Sequence, residues 1–285
     1  LSQDLREDFN FFPVYDLPAA NTRPNQIRRP ASVITMSDGS SYVASFGTNS
    51  IVQIDANGHT MRSLRGGLTH FAGPFDLLSV GGKRFYASQM LSDQVMEFNL
   101  DGQVVKTFGG NGSKLGQLIG PQYLASDGTY LFVTDFGNRR IAKFDLDGNF
   151  IMNFGERGNG FAGLERPTGL FFQDGTLYVG DASRKNPGLH FFDVNGNAMG
   201  FLPDDRLAEI EDIAAFQNGR LLITTRLAIY EYDPTMQSLE PLFTEEMNPK
   251  VRFTAAAMDA NGNLLASDFD TEKVTWLARL AGVYS

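Results

Sequence analysis

Four short β-type runs follow one another in residues 121–155, which read PQYLASDGTYLFVTDFGNRRIAKFDLDGNFIMNFG. The runs cover 123–126, 130–134, 141–145 and 149–154, and the third alternates apolar and polar residues like a half-buried strand. Asp127-Gly128 and Asp147-Gly148 supply the positive φ angles of tight hairpins. Pro121 suits the entry to the first strand, where no ladder donor is lost. The segment is therefore predicted to be one four-stranded antiparallel sheet.

The same pattern recurs along the chain. The glycine of the first turn in each unit is followed by the next at spacings of 43, 46, 47, 44 and 43 residues: Gly39, Gly82, Gly128, Gly175, Gly219 and Gly262. A period of this length with several short strands is typical of a propeller blade. We predict one all-β domain over residues 1–285, a six-bladed β-propeller with blades at approximately 28–67, 68–115, 116–164, 165–208, 209–250 and 251–285.

The last unit is one strand short. After its turn it has room for only two more strands, at 263–267 and 273–278. Residues 9–17 are apolar and aromatic, and a polar linker joins them to the first blade. We predict that this segment supplies the fourth strand of the last blade, because such an exchange removes an open sheet edge and closes the ring.

Residues 121–155 resemble an NHL repeat. The resemblance rests on Pro121, Val133-Thr134-Asp135, Gly137-Asn138-Arg139-Arg140-Ile141, Phe144-Asp145-Leu146-Asp147-Gly148 and Phe154-Gly155. It extends over about residues 28–285, less completely in the other units, and the last two units lack the proline. It implies a six-bladed propeller whose usual binding surface is the face that carries the blade-to-blade connections.

The amino-acid composition of the chain limits the classes of function that it can have. The chain contains no cysteine, which excludes disulfides and cysteine–zinc sites. Its net charge of -9 argues against nucleic acid and anionic membranes as partners. No apolar run approaches the roughly 20 residues of a membrane span. The compartment is left open, with an extracytoplasmic one favoured.

The two ends of the sequence bear on its context. The chain starts at Leu1 without a signal peptide and stops at Ser285 without a polar tail. We expect a trimmed chain and further domains in a longer native protein, in which the propeller is the sensor or adaptor module of a bacterial protein.

The two faces of the predicted propeller differ in composition. One carries turns rich in aspartate, which we interpret as turn chemistry. The other carries the blade connections and the loops between second and third strands, where arginines and aromatics collect. We predict that this rim binds a protein partner through Phe46, Phe136, Phe269, Phe75, Tyr123, Phe253, Arg139, Arg184 and Arg226. Such residues dominate protein-binding surfaces, although inter-blade packing is the alternative for the phenylalanines and capping or bracing for the arginines.

A catalytic function has less support from the sequence. His59, His70 and His190 fall in three different structural positions, so we expect no shared histidine–metal site like that of the amidating lyases with NHL-like propellers. The enzymatic alternative is a calcium-dependent, lactonase-like hydrolase with Asp76, Glu211 and Asp212 at the central channel; the other interpretation of these carboxylates is solvated or salt-bridged loop residues. An RNA-binding NHL propeller is a third class, which the negative charge disfavours. We predict a noncatalytic recognition or scaffolding domain without cofactor or metal.

Overall fold

A computed structural model describes residues 11–16, 26–158, 160–244 and 252–279. These residues form six antiparallel sheets of four strands each, arranged in a ring. The predicted six-bladed propeller is therefore confirmed. In five sheets the strands follow the chain order, and in the last the order is β1-β24-β23-β22.

The strands, in chain order, are β1 (Phe11–Asp16), β2 (Pro30–Thr35), β3 (Ser41–Ser45), β4 (Ser50–Ile54), β5 (Thr60–Leu64), β6 (Pro74–Val80), β7 (Arg84–Gln89), β8 (Gln94–Phe98), β9 (Val104–Gly109), β10 (Pro121–Ser126), β11 (Tyr130–Asp135), β12 (Arg140–Asp145), β13 (Phe150–Phe154), β14 (Pro167–Gln173), β15 (Thr176–Asp181), β16 (Gly188–Phe192), β17 (Ala198–Pro203), β18 (Ile210–Ala215), β19 (Leu221–Thr225), β20 (Ala228–Asp233), β21 (Ser238–Thr244), β22 (Phe253–Met258), β23 (Leu264–Asp268) and β24 (Lys273–Arg279). Short 3₁₀ turns occupy Phe46–Thr48, Phe136–Asn138, Asp205–Leu207 and Gln217–Gly219.

The ring closes through the start of the chain. Strand β1 pairs antiparallel with β24, with a register that runs from Phe11 opposite Arg279 to Asp16 opposite Thr275. This confirms the predicted closing strand; residues 9, 10 and 17 of the predicted segment lie outside the described residues. The last blade therefore combines strands from both ends of the chain.

The core lies between the blades. A cluster of buried apolar residues fills each of the six joints between neighbouring blades in the described structure. At the joint between the third and fourth blades, Phe132 stacks on Phe172 with ring centroids 5.8 Å apart. Each blade thus buries both of its faces against its neighbours in the ring.

Each inner strand carries a β-bulge near its start. In β10, for example, the register passes from Pro121 opposite Asp135 to Leu124 opposite Val133, which leaves one extra residue on the inner strand. The same shift occurs at the start of β2, β6, β14, β18 and β22. A bulge redirects the side chains beside it, and the second and third residues of these strands include the carboxylates of the channel.

The aspartates of the turn face bond to their own turns. Asp55, Asp145, Asp193 and Asp259 each accept hydrogen bonds from backbone N–H groups two to four residues ahead. These bonds agree with the interpretation of the acidic turns as turn chemistry.

Hydrogen bonds from side chains to turns also join neighbouring blades. A cation of one blade donates to a backbone carbonyl in a turn of the next blade at three joints: Arg62 to Leu100, Arg84 to Leu146 and Lys143 to Val194. In the same turns, glycine lies close to the preceding blade. A Cβ on Gly148, whose φ is 79°, would lie 2.5 Å from Cδ1 of Phe108.

Replacing Gly148 with alanine is expected to destabilise the protein by about 1–3 kcal/mol through overpacking, in addition to the cost of positive φ. Gly128→Ala is the matched control, since Gly128 has a φ of 89° and no atom within 4 Å of its added Cβ. Urea unfolding of both variants separates packing from backbone strain. Equal losses in the two variants would show that the close approach to Phe108 is without energetic consequence.

Candidate functional site

The face that carries the blade-to-blade connections, the connection face, is held in five of the six blades by the last residue of the second strand. Asp135 is buried and accepts the N–H of Ile119 at 2.8 Å, the amide of Asn138, and Nε of Arg140 at 2.8 Å. Arg140 also donates to the carbonyls of Lys114 and Gln117. The equivalents Ser45, Gln89, Asp181 and Asp268 accept N–H groups of their own incoming connections. These bonds fix the loops of this face on a rigid scaffold.

Two predicted aromatic residues meet on this face. Phe46 and Phe269, from adjacent blades, have ring centroids 5.5 Å apart. Cζ of Arg29 lies 5.7 Å from the Phe269 centroid. Phe46 and Leu91 flank Gly73. A Cβ added to Gly73 would lie 2.8 Å from Cε2 of Phe46 and 2.7 Å from Cγ of Leu91. We call Arg29, Phe46, Leu91 and Phe269 the arginine–aromatic platform.

The platform is accessible and Arg29 is conformationally constrained. Leu91 is 63% exposed, Arg29 is exposed, and both phenylalanines are half-buried. Arg29 has a φ of 47°, whereas the equivalent positions before Pro74 and Pro121 are glycines. Positive φ is costly for a long side chain, and residues held in such conformations cluster at functional sites. The carbonyl of Arg29 accepts the N–H of Phe46, which helps hold this geometry.

A second group of residues lies at the entrance of the central channel. Phe75 contacts Tyr123 edge-on, with centroids 5.4 Å apart. The Tyr123 hydroxyl lies 3.5 Å from Oε2 of Glu211, and a guanidinium nitrogen of Arg226 lies 3.9 Å from Oε1 of Glu211. Arg226 also bonds to Asp270, which follows Phe269 of the platform. The channel entrance and the platform are thus neighbours.

Two buried carboxyls tie the inner strands together. Asp76 accepts the Ser32 hydroxyl at 2.6 Å and the backbone N–H groups of Leu77 and Leu124, both at 2.8 Å, and so links three blades. Asp212, at the equivalent position three blades further on, accepts the N–H of Ile213 in its own strand at 2.8 Å and the backbone N–H of Ala256 in the inner strand of the next blade. Both side chains are already engaged by the backbone, which gives them a structural role.

Burial dominates the electrostatics of the channel. It raises the pKa of Asp76 to about 6 against the opposing effect of the Ser32 hydrogen bond, and it raises the pKa of Glu211 to about 7 against the attraction of Arg226. The pKa of Asp212 is raised well above its ordinary value by burial and by the charge of Asp76. Burial likewise raises the pKa of Tyr123, so its hydroxyl stays protonated at neutral pH.

These carboxyls predict an unusual dependence of stability on pH. Each binds its proton more tightly in the folded chain, so the stability that they contribute is fully present below their ordinary pKa values of 3.8 and 4.5 and is lost as pH rises through about 6 and about 7. We expect the free energy of unfolding to fall between about pH 4 and pH 7 by up to about 1.4 kcal/mol per pH unit for each proton. Urea unfolding across this range measures the slope.

Glu211→Gln is the variant that tests the origin of this slope. It should reduce the dependence between the ordinary and the raised pKa of Glu211, since glutamine does not titrate. A wild-type free energy of unfolding that is flat or rises from pH 4 to pH 7 would contradict the assignment.

The other predicted rim residues lie elsewhere. Tyr123 and Phe253 are fully buried, and Phe253 packs edge-on against Phe243 in the joint of the last two blades. Phe136 is half-buried in its 3₁₀ turn, where its neighbour Gly137 meets Ile119. Arg139 and Arg184 are exposed and lie in the third and fourth blades, whereas the platform residues come from the first, second and last blades. The structure therefore brings Phe46 together with Phe269, and Phe75 with Tyr123 and Arg226 through Glu211.

Sequence reasoning missed three features of this face. Arg29 and Leu91 were not among the predicted binding residues, and Arg140 rather than its neighbour Arg139 makes the buried bridge to Asp135. A signal for Arg29 was present, because it occupies a position that glycine fills in the next two units. The burial of Tyr123 carried no such signal.

Metal-binding geometry is not evident. In the described ranges, no three or more His, Asp or Glu side chains are arranged to hold a metal ion. His59 and His70 are exposed on different loops, and His190 contacts Asp181 at 3.7 Å and stacks on Phe201. Within the same ranges, no helix is long and apolar enough to cross a membrane.

Neither a protein-family model nor a curated protein sequence matches this chain. Solved structures do resemble it. A streptogramin B lyase superposes with a TM-score of 0.67 and 13% identity over 95% of this chain and 98% of its own. A gluconolactonase from Xanthomonas campestris gives 0.67 and 13% over 89% of each chain. A chain of the nidogen/laminin complex gives 0.64 and 16% over 80% of this chain and 84% of its own. The chain is thus a six-bladed β-propeller that shares its fold with lyase, lactonase and protein-binding propellers.

Proposed function

We propose that this protein is a noncatalytic recognition domain that binds a segment of a protein partner on the arginine–aromatic platform. The observation that carries the proposal is the contact of Phe46 with Phe269 beneath the guanidinium of Arg29, beside the exposed side chain of Leu91. Aromatic rings, arginine and an apolar neighbour are the side chains that supply most of the free energy of binding at protein interfaces.

The surroundings of the platform support this function. Its loops are fixed by the N–H of Arg28, which donates to the Ser45 hydroxyl, and by the N–H of Gly73, which donates to Oδ1 of Asn49, so little order has to be gained on binding. A chain of the nidogen/laminin complex shares the fold, and this likeness supports the proposal of protein recognition without deciding it, since one fold hosts many functions.

Selection of peptides from a random displayed library tests the proposal. The wild-type protein is the bait, and the Phe46→Ala/Phe269→Ala double variant is the counter-selection bait. We expect peptides that bind the wild type at least tenfold more tightly than the double variant, since two central aromatic contacts are lost. The melting temperature of the variant reports whether it stays folded. Peptides that bind a folded double variant equally well, or no enrichment at all, would overturn the proposal.

Small-molecule chemistry at the channel entrance is the second candidate function. The observation that favours it is Glu211, a partly exposed carboxyl with a pKa of about 7 between Tyr123 and Arg226. Carboxyls with such raised pKa values act as acids or bases near neutral pH. The lactonase-like alternative would also use Asp76 and Asp212, whose oxygens already accept backbone and hydroxyl donors.

Calcium-dependent stability separates this candidate from the recognition function. Chelator-treated protein is melted with and without millimolar calcium. Binding to the folded state at a hundredfold excess over Kd adds about 2.7 kcal/mol of stability. A shift that Glu211→Gln removes would favour a metal-assisted hydrolase and direct assays toward lactones and esters. The recognition function predicts no such shift.

A further inference from the structure

We propose that the segment bound by the platform is acidic, with a carboxylate that pairs with Arg29 beside an apolar side chain that packs on Phe46 and Leu91. This inference rests on the proposed function and adds the chemistry of the partner. Its basis is the charge of the platform, which differs from that of the rim around it.

The arginines next to Arg29 are already neutralised. Nε of Arg28 lies 3.2 Å from a carboxylate oxygen of Glu272, and Arg226 bonds to Asp270. Arg29 has no acidic partner among the residues that the structure describes. The platform therefore presents one uncompensated positive charge, and a partner that supplies a carboxylate there is electrostatically complementary.

The orientation of Arg29 suits a carboxylate. Its guanidinium lies over the face of Phe269, and a guanidinium that stacks on a ring keeps its N–H donors at the edge, available for bidentate pairing. The positive φ of Arg29 and the bond from its carbonyl to Phe46 limit the backbone freedom that binding would have to remove.

The apolar part of the ligand is defined by Phe46 and Leu91. These side chains flank Gly73, where an added Cβ would lie 2.7 Å from Cγ of Leu91 and 2.8 Å from Cε2 of Phe46, so both pack against the same backbone position. A side chain larger than hydrogen at Gly73 would collide with both residues. An apolar anchor next to an acidic residue, as in Leu-Asp or Phe-Glu pairs, matches this arrangement of rings, methyl groups and guanidinium.

Two matched synthetic peptide pools serve as the probe. Both contain leucine, phenylalanine, serine and glycine at random positions; one adds aspartate and glutamate, and the other adds lysine and arginine. Each pool is panned against wild-type protein, and affinities of the enriched peptides are measured at low and high salt. We expect enrichment from the acidic pool alone, with affinity that falls as salt rises.

Arg29→Gln tests the assigned residue directly. It keeps a long side chain at the constrained position and is expected to weaken the enriched acidic peptides about tenfold or more. Arg157→Gln is the control, because Arg157 is also an exposed arginine but follows the last strand of the third blade and was not assigned to binding. It should leave the affinity unchanged.

The outcomes separate the two claims. Equal losses in Arg29→Gln and Arg157→Gln, or enrichment from the basic pool, would overturn the acidic-ligand inference while binding at the platform stands. If Phe46→Ala/Phe269→Ala stays folded and retains full affinity, the proposed function itself fails.

Discussion

Removing residues 1–16 is expected to abolish most of the stability of the protein. The deletion takes away β1, whose backbone pairs with β24 from Phe11 opposite Arg279 to Asp16 opposite Thr275. The last blade would retain three strands, and β24 would become an open edge that is prone to association. Because ring closure would be lost at the same time, the expected loss is on the order of 5 kcal/mol or more, a large part of the 5–15 kcal/mol typical of domains.

Urea unfolding measures this effect, and size-exclusion chromatography reports association through the exposed edge. Deletion of residues 1–10 is the matched control, since it ends just before Phe11 and leaves β1 in place. Equal stabilities for the two deletion variants would contradict the role of β1 as the closing strand.

Replacing Asp135 with alanine is expected to cost about 3–5 kcal/mol. The change removes the buried carboxylate partner of the Arg140 guanidinium, which then has only the exposed Glu156 at 3.7 Å, and it removes the acceptor of the Ile119 N–H. Breaking one partner of a buried ion pair has an effect of this size because the remaining charge is uncompensated. We expect the connection between the second and third blades to loosen with it.

Asp127→Ala provides the comparison for Asp135→Ala. Asp127 is also an aspartate that accepts backbone N–H groups, at Thr129 and Tyr130, but it lies in an exposed turn and should cost about 1 kcal/mol. Adding Arg140→Met to Asp135→Ala should recover part of the loss, since no buried charge then remains. Equal destabilisation by Asp127→Ala and Asp135→Ala would refute the assigned role of the ion pair.

Much of the fold could be predicted because its determinants are local. Turn pairs such as Asp127-Gly128 set the hairpins, and the alternation of residues 141–145 set the face that each strand buries. The closing strand could also be predicted from the sequence, because the last unit lacks room for a fourth strand. The hydrogen bonds between blades, such as that from Arg84 to the Leu146 carbonyl, were not predicted. They join residues of different blades whose relative positions no local pattern specifies.

The candidate site was predictable only in part, for a related reason. Phe46 and Phe269 share a local motif at equivalent positions, so their occurrence on one face follows from the repeat. Tyr123 lies in an inner strand, but how deeply its side chain is buried depends on its contact with Phe75 and on the inner strands of other blades. The state of Glu211 depends likewise on burial created by three-dimensional closure of the ring.

A hydrogen-exchange footprint of a selected peptide on the wild-type protein tests the central claim most directly. The account predicts slowed exchange in the loops that carry Arg29, Phe46, Leu91 and Phe269, and unchanged exchange in the opposite turns at Asp55, Asp145 and Asp193. Protection confined to those turns, or absent from all the platform loops while the peptide is bound, would contradict recognition at the arginine–aromatic platform.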